Sequence, residues 1–352
     1  MISEQGRSIP KRKRRWLASA VAAFVVALTL VVLWLGDFVP VPDPLFRGKP
    51  ESVWMTELKY NDNEQVNQWS SFGEEGVKVL IRGLERERRP GRAYRKLHRS
   101  LPTLVQRWLP QPQPDSTRGV RAAIVALLGR LGDNARSAVP AVIWTANHDE
   151  AAEVRLFAIS YFNTAAGDNS LVNQLPPEQK RELFPALVRA IQDKSNPALR
   201  HNSAIGIKYF PEQRNVLAPV LIKAMQDTDS YVRLYAAEGL NRVEPAAAEQ
   251  HGATALLAAF AKSTDLGLAV KAVSVLAHSG SQPAIAVPVL VQCLASTNTT
   301  ITCEAIWALE WAPKEFHAHS NSVIPALTTA SERGGSVGGY ARVALGRWTS
   351  KQ

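Results

Sequence analysis

The amino-acid sequence predicts an all-α protein in which one transmembrane helix precedes a solenoid of about seven stacked helical hairpins. Three observations predict this. An uncharged apolar run fills residues 16–35, a short motif that usually begins with proline recurs at steps of 34 to 45 residues, and a nine-residue helical pattern follows each copy. The two cysteines, Cys293 and Cys303, are too few for a disulfide framework or a cysteine-ligated zinc site.

Two basic blocks carry the net charge of +10. Residues 1–15 contribute +5 and residues 82–107 contribute +7, so the rest of the chain sums to −2. The first block adjoins the apolar run, where basic residues set the direction of membrane insertion. Only the second block is left as a binding patch, and we therefore expect no nucleic-acid partner.

The apolar run WLASAVAAFVVALTLVVLWL predicts a transmembrane helix over residues 16–36. At about 1.5 Å per residue it spans the hydrocarbon core of a bilayer, and Trp16 and Trp34 lie where indoles favour the interface. Because five basic residues precede it, residues 1–15 are predicted to be a cytoplasmic tail and the solenoid to be exported, into the periplasm if the source is a Gram-negative bacterium. A cleaved signal peptide is the alternative, but its apolar stretch is usually shorter.

A Pro-rich spacer and lead-in segment is predicted at residues 37–71, before a solenoid at residues 72–352. The stretch DFVPVPDPLFRGKP contains four prolines, which favour extended polyproline-like backbone. At about 3.1 Å per residue it would hold the solenoid up to about 40 Å from the bilayer.

Two sets of positions define the repeats. The motif that marks each first helix begins at Pro140, Pro185, Pro219, Thr254, Pro288 and Pro325. The fifth position of each second helix is small, namely Ala158, Ser203, Ala236, Ala272, Ala305 and Ala341. The ninth is large and apolar, namely Phe162, Ile207, Leu240, Leu276, Leu309 and Leu345. Proline suits the first turn of a helix, so each first helix is expected to begin at its motif, and the spacing of four keeps the apolar positions on one core-facing side.

This pattern resembles HEAT repeats over roughly residues 72–349. HEAT repeats are similar in the proline of the first helix and in an Asp near the turn followed by an Arg early in the second helix. The corresponding residues here are Asp149, Asp193 and Asp227 with Arg155, Arg200 and Arg233, and Arg121 occupies the arginine position of an irregular first unit. The resemblance implies a right-handed α-α superhelix with an Asp–Arg ladder between its middle repeats. In the later repeats Ala269, Thr302 and Gly338 replace the arginine, so no ladder is expected there.

No catalytic motif in the sequence has the context that its chemistry requires, and no cofactor is predicted. HEAT-like deoxyhypusine hydroxylases bind iron through His-Glu dipeptides, and none of the seven histidines here precedes a glutamate. His317 and His319 lack further ligands, and the G-x-S-x-G at Gly334 lacks the strand that a nucleophile elbow requires. HEAT-like bilin lyases and alkylpurine glycosylases stay open as alternatives. Trp307 and Trp311, four residues apart on a helix, indicate either core packing or an aromatic platform.

The function expected from these features is that of a membrane-tethered protein-interaction scaffold without catalysis. Its candidate binding face is formed by Arg92, Arg95, Lys96 and Arg99, whose spacing places them on one side of a helix. We expect this face to dock an unidentified, acidic protein partner or the anionic bilayer. A HEAT-like enzyme, a binder of anionic lipid or surface polymer, and a solvated face without a partner are the alternatives.

Overall fold

The computed structural model describes a large part of the chain. The described residues are 43–59, 62–87, 92–107, 117–163, 171–277 and 282–350, together with Ala23, Val26 and Ala27. The predicted tail and transmembrane helix at residues 1–36 lie outside this part, apart from those three residues. Among the described residues, no helix combines the length and apolar character needed to cross a membrane. Two compact units divide the chain, residues 1–141 and 142–352.

The first unit contains a short β-hairpin and a small group of helices. Its elements are β1 (Leu45–Phe46), β2 (Lys49–Pro50), α1 (Glu51–Thr56), α2 (Asn63–Ser71), α3 (Gly73–Glu87), α4 (Arg92–Ser100), α5 (Thr103–Gln106), α6 (Arg118–Leu131) and a 3-10 segment (Gly132–Ala138). Helices α1, α2 and α6 all pack on α3. Helix α3 is the centre of this unit because Val77, Leu80 and Leu84 on one side are buried.

The hairpin replaces part of the predicted extended spacer. Strands β1 and β2 pair antiparallel, and Arg47 and Gly48 between them both have positive φ, of 51° and 80°. This is the backbone of a tight two-residue hairpin turn. The ring of Phe46 lies 5.3 Å from Phe72 and 6.2 Å from Trp54, centroid to centroid. Residues 43–50 therefore fold back onto the first unit, because the turn at Arg47 and Gly48 reverses the chain while Pro50 keeps an extended backbone with φ −54° and ψ 139°.

The second unit is a series of helical hairpins. Its helices are α7 (Val139–His148), which begins just before the unit boundary, α8 (Ala152–Phe162), α9 (Leu171–Gln174), α10 (Pro177–Ala190), α11 (Pro197–Ile207), α12 (Arg214–Ala224), α13 (Ser230–Val243), α14 (Pro245–Gln250), α15 (Ala253–Phe260), α16 (Leu266–Leu276), α17 (Pro283–Leu294), α18 (Thr299–Glu310), α19 (Ser320–Ser331) and α20 (Gly335–Thr349), with 3-10 segments at Pro211–Gln213 and Lys314–His319. The second helices α8, α11, α13, α16, α18 and α20 contact one another in that order. The described part of the chain is therefore all-α apart from the hairpin, and it consists largely of stacked repeats.

The predicted core positions of the second helices are buried. All six small residues at the fifth motif position are fully inaccessible to solvent. The large apolar residues at the ninth motif position are equally buried in the second helices of the first five repeats. The exception is Leu345 in the last repeat, which is only half-buried. Trp348 of the same helix is buried instead, and its indole Nε1 donates to the carbonyl of Leu309 at 2.8 Å. The last hairpin thus covers the end of the apolar core with a different residue.

Four repeat prolines lie well inside their helices, so the predicted starts of those first helices were wrong. The other two motifs, at Pro140 and Thr254, stand one residue after the start of α7 and α15, close to the prediction. Pro185, Pro219, Pro288 and Pro325 sit five to eight residues after the first residue of their helices. A proline inside a helix removes one backbone hydrogen bond. The residues two positions before these prolines are completely buried, namely Leu183, Leu217, Ala286 and Val323. Their burial favours an additional helical turn ahead of the proline and offsets the lost bond.

Candidate interaction surface

Four large apolar side chains lie exposed together near the end of the second unit. Trp307 belongs to α18, Trp311 directly follows its last residue, and Tyr340 and Val343 belong to α20; their exposed fractions are 42, 70, 40 and 55% in that order. Helices α18 and α20 are in contact, and the rings of Trp307 and Tyr340 are 5.2 Å apart. We call these four residues the C-terminal aromatic surface. Clusters of exposed apolar side chains are typical of binding sites rather than of ordinary surface.

The core pattern of α18 explains why its tryptophans point outward. Ala305 and Leu309 are fully buried, and residues two positions away from them lie on the other side of the helix. Trp307 and Trp311, four residues apart, therefore share the exposed face. The sequence left core packing and an aromatic platform open for these two tryptophans. The structure shows both side chains exposed, which argues against core packing.

An ion pair orients Trp311. The guanidinium of Arg347 lies 3.9 Å from the centroid of the Trp311 ring, and its Nε is 3.2 Å from Oε1 of Glu310. The Glu310 side chain is only 9% exposed, so the guanidinium is fixed between a half-buried carboxylate and the indole. A ring held in this way loses little conformational entropy when a partner covers it, which favours binding.

A second ring cluster lies on the neighbouring second helices. The imidazole of His201 on α11 stacks against Tyr235 at 4.9 Å and Tyr231 at 5.5 Å, both on α13. Burial lowers the pKa of His201 and raises the pKa of Tyr235 to about 12. Both rings are therefore neutral at physiological pH, and this cluster consolidates the α11–α13 contact.

The predicted ladder residues meet between the middle repeats. Arg155 Nη1 donates to the carbonyl of Asp149 at 3.0 Å, and its Nη2 donates to Oδ2 of Asp193 at 3.2 Å. Arg200 repeats the arrangement, with Nη1 on the carbonyl of Asp193 at 3.0 Å and with Nε and Nη2 on the two carboxylate oxygens of Asp227 at 2.7 and 2.8 Å. Each arginine thus bonds the backbone of its own turn and the carboxylate of the next turn.

The charges of these pairs are stabilised by their partners. Burial raises the pKa of Asp227, but hydrogen bonds from Arg200 and from the backbone of Asp229 outweigh it and hold the pKa below the usual 3.8. Burial also raises the pKa of Asp193, but hydrogen bonds from the side chain and backbone of Ser195 outweigh this effect, and the pKa is lowered. The hydrogen bond to Asp227 raises the pKa of Arg200. Both aspartates therefore stay ionised well into the acid range.

Arg233 binds no aspartate carboxylate in the contacts that the structure describes, and both Arg233 and Arg121 donate to a backbone carbonyl and to a hydroxyl. Arg233 Nη1 donates to the carbonyl of Asp227 at 2.7 Å and Nη2 donates to Ser230 Oγ at 2.8 Å. Arg121, in the first unit, is buried and donates to the carbonyl of Glu87 at 3.2 Å and to Thr117 Oγ1 at 2.7 Å. What Arg121 and Arg233 share with Arg155 and Arg200 is a bond to a backbone carbonyl at, or within three residues after, the end of an earlier helix.

At the C-terminal end the direction of the bond is reversed. Arg333, which lies in the turn of the last hairpin, donates Nη1 to the carbonyl of Leu294 at 3.1 Å and Nη2 to the carbonyl of Ser296 at 3.2 Å. Its Nη1 also lies 3.5 Å from the hydroxyl of Thr302, which occupies the usual arginine position. At this interface the arginine lies in the turn of the following hairpin, whereas in the middle repeats it lies in the second helix of the preceding hairpin. Sequence reasoning missed Arg333 because the ladder pattern places arginine only in the second helix.

The predicted basic face lies on α4 of the first unit. The helix from Arg92 to Ser100 forms as expected, and the side chains of Lys96 and Arg99 are exposed while Leu97 is half-buried. The side chains of Arg92 and Arg95 lie outside the described part. His98, between the two exposed cations, is buried. The four-residue face therefore stays a prediction, of which the exposure of Lys96 and Arg99 is described, and the sequence pattern gave no sign of a buried histidine.

The structure also describes the residues that the sequence raised as candidates for metal binding or catalysis. No group of three His, Cys, Asp or Glu side chains that would suit a metal ion occurs among the described residues. The ring of His317 packs on Trp348 at 4.6 Å, and Gly334 caps the start of α20. Cys293 and Cys303 are free thiols, and burial raises the pKa of Cys293.

The helices of the second unit define an all-α repeat architecture, a series of stacked helical hairpins with an exposed aromatic surface. Residues 284–310, which hold almost all of α17 and α18, match the family model of the Armadillo/beta-catenin-like repeat. The match covers one hairpin of the chain. No curated protein sequence matches the chain.

Several solved structures are distantly similar. The phycocyanin lyase complex of CpcE and CpcF from Nostoc sp. PCC7120 is 16% identical with a TM-score of 0.43, covering 81% of this chain and 96% of that one. The Escherichia coli protein YibA is 15% identical with a TM-score of 0.46, covering 83% and 97%. An archaeal HEAT-like repeats protein from Thermococcus onnurineus NA1 is 12% identical with a TM-score of 0.39, covering 69% and 99%. None of the three indicates a function for this chain.

Proposed function

We propose that this chain is a non-catalytic scaffold that binds a protein partner through the C-terminal aromatic surface. The observation that carries the proposal is the exposure of Trp307, Trp311, Tyr340 and Val343 on two adjacent helices. Tryptophan and tyrosine are the residues that most often dominate protein interfaces, because they bury a large area at small entropic cost. The partner we expect presents apolar side chains that cover these rings.

The chemistry around the rings supports a protein partner. Glu310 and Arg347 form an ion pair beside Trp311, which supplies a polar rim to the aromatic centre. An apolar centre with a polar rim is the usual composition of a protein interface. Stacked repeats bury their core between hairpins and leave the outer sides of the second helices available for such contacts.

The membrane anchor is part of the same proposal. The uncharged run at residues 16–35 and the basic residues before it support a single span with the repeats on the exported side. On this proposal the anchor concentrates the scaffold at a membrane, where the partner is also found.

Site-specific photocrosslinking tests the aromatic surface. A benzophenone side chain replaces Val343, which is 55% exposed, in the full-length chain expressed in its own cells. The matched control carries the same group at Val216 of α12, which is 46% exposed and belongs to a first helix. We expect a discrete crosslinked protein from position 343 and none from position 216.

A double substitution shows whether the rings themselves bind. Changing Trp307 and Trp311 to Ala in the Val343-labelled chain should remove the crosslink while the thermal melting curve changes little, because both rings are exposed. The same product from positions 343 and 216, or a crosslink that survives the loss of both tryptophans, would contradict the proposal.

A further inference from the structure

A cleft of the second unit lies between the hairpin of α15 and α16 and the hairpin of α17 and α18. Its volume is about 450 Å³. The polar residues that line it are Lys262, Gln292, Cys293 and Ser296, and the rest of the lining, including Val289 and Ile301, is apolar. Clefts of this size that combine an apolar wall with a few polar groups are typical of sites for small organic molecules.

The counterpart of this cleft, between the hairpins of α7–α8 and α10–α11, contains paired charges. Its volume is about 300 Å³, and its lining includes Arg155 and Asp193, which form an ion pair. Arg155 is the second motif residue of α8, and the same position of α16 is Ala269, which is buried. Among the described residues, no arginine lines the larger cleft.

The larger cleft carries an unbalanced positive charge. Lys262 is exposed, none of the described lining residues is acidic, and no carboxylate of the described residues pairs with Lys262. Asp265, the acidic residue closest to it along the chain, accepts instead from the amide of Leu268 at 3.0 Å. A second cation, Arg333, donates to the carbonyl of Ser296 in the wall at 3.2 Å. These charges favour an anionic occupant.

The thiol of Cys293 shows that the charge of Lys262 reaches into the cleft. Cys293 is buried and free, and burial raises its pKa, whereas the positive charge of Lys262 acts in the opposite direction. Such an effect requires the ammonium to lie near the sulfur, because the interaction weakens with distance. Lys262 of one hairpin and Cys293 of the next therefore face the same space.

The lining of the cleft favours a carboxylate over a phosphate. A carboxylate carries one negative charge, which a single ammonium balances, whereas a phosphate ester carries nearly two and needs more donors. The side chains of Gln292 and Ser296 supply further hydrogen-bond donors beside Lys262. Val289 and Ile301 offer a surface against which a hydrocarbon body loses contact with water, which stabilises the bound state.

We propose that this cleft binds a small carboxylic acid, with its carboxylate at Lys262 and an apolar body of about four to eight carbon atoms against Val289 and Ile301. The site is separate from the C-terminal aromatic surface. Its occupation does not depend on the proposed scaffold function, and its test needs no protein partner.

Protection of Cys293 from alkylation tests the proposal. The full-length chain in non-ionic detergent micelles carries Cys303→Ser, so that Cys293 is its one cysteine. Iodoacetamide modifies the thiol at about pH 8.5, and mass spectrometry follows the rate with and without about 10 mM hexanoate. We expect hexanoate to slow the alkylation at least about fivefold, because the bound acid covers the sulfur. Hexanamide, which is neutral and of similar shape, should change the rate by less than about twofold.

Substitutions of lysine locate the carboxylate. Lys262→Gln should lose the protection by hexanoate, whereas Lys262→Arg keeps the positive charge and should retain it. Lys223→Gln is the matched control and should also retain it, since Lys223 is an exposed lysine of α12. Each variant is compared with itself in the presence and absence of hexanoate, because the charge of Lys262 alone affects the thiol.

Inorganic phosphate at the same concentration should not protect Cys293, because it has no apolar body. The proposal would be overturned by protection from hexanamide or phosphate that equals the protection from hexanoate, or by protection that survives Lys262→Gln. A Cys293 that iodoacetamide does not reach would also overturn it, since the cleft would then be closed to small molecules.

Discussion

A single arginine connects three parts of the stack at the residue scale. Arg200 lies on α11, donates to the carbonyl of Asp193 in its own turn, and holds both carboxylate oxygens of Asp227 in the next turn. Its side chain is 11% exposed and that of Asp227 is 14% exposed. An ion pair with so little contact with solvent contributes more than the 0 to 1 kcal/mol or so of an exposed pair.

Removing Arg200 should therefore destabilise the chain more than removing Arg233. Arg200→Ala leaves the buried carboxylate of Asp227 without its two-point partner, and we expect a loss of about 2 kcal/mol in the free energy of unfolding. Arg233→Ala removes bonds to a carbonyl and a hydroxyl but no ion pair, so its effect should be smaller. Chemical denaturation of both variants beside the wild type measures the difference.

The same comparison at acid pH checks the cause. The pKa of Asp227 in the folded chain lies below 3.8, so the stabilisation from its ion pair is present above that pH and is lost as the pH falls through the folded-state pKa. The difference between the wild type and Arg200→Ala should shrink accordingly between pH 5 and pH 3 or so. A difference that stays constant over this range would mean that Arg200 acts through packing rather than through charge.

At the scale of single elements, periodicity predicted the second helices well and the first helices less well. The small residues at the fifth position are buried as expected, because a spacing of four fixes one helix face whatever surrounds it. The prolines misled, since Pro185 and Pro219 look like helix starts, yet α10 and α12 begin eight and five residues earlier. A sequence motif does not show that Leu183 and Leu217, two residues before these prolines, are buried in the core.

The aromatic surface marks a second limit of the sequence. The spacing of Trp307 and Trp311 showed that they share a helix face, but only the packing of α18 against α20 shows that this face is exposed. Tyr340 and Val343 join them from another hairpin, 29 to 36 residues further along the chain. A local pattern cannot reveal that residues of two hairpins lie together. It does place an aromatic residue, Tyr340, at the fourth position of the last second-helix motif.

Helix α4 is the element on which the predicted basic face depends. Lys96 and Arg99 are exposed, and we expect changing both to Ser to weaken binding to anionic vesicles, because exposed cations attract the negative headgroups. The protein for this assay begins at Asp37, so that it keeps residues 43–50, which belong to the first unit. Vesicle cosedimentation over a range of salt concentrations measures the effect.

The matched control changes Lys194 and Lys223, two exposed lysines of the second unit, to Ser. Both double variants lose the same charge. If they bind vesicles equally weakly, net charge alone is responsible and α4 is ordinary solvated surface.

For the whole molecule, stability should be local because each hairpin of the second unit contacts its neighbours. Leu309 is completely buried in α18, which touches α16 and α20. We expect Leu309→Ala to cost about 2 to 5 kcal/mol and to speed amide hydrogen exchange in α16, α18 and α20, with little change in α8 and α11. Hydrogen exchange measured by mass spectrometry follows each helix separately.

Leu266→Ala is the control, since Leu266 is 45% exposed and its truncation leaves no cavity. Exchange that accelerates uniformly through the second unit in Leu309→Ala would show that these hairpins unfold as one cooperative body rather than as neighbours.

The reversed bond of Arg333 also bears on how the hairpins find their order during folding. A turn that carries aspartate fits only after a hairpin that offers arginine, whereas the turn of Arg333 fits only after one that offers free carbonyls and Thr302. If the last hairpin docked on the one that contains Arg200, two guanidiniums would meet. The interface groups of the Arg155, Arg200 and Arg333 contacts therefore distinguish correct from incorrect neighbours and penalise skipped or exchanged repeats there, a safeguard that a chain of near-identical modules would lack.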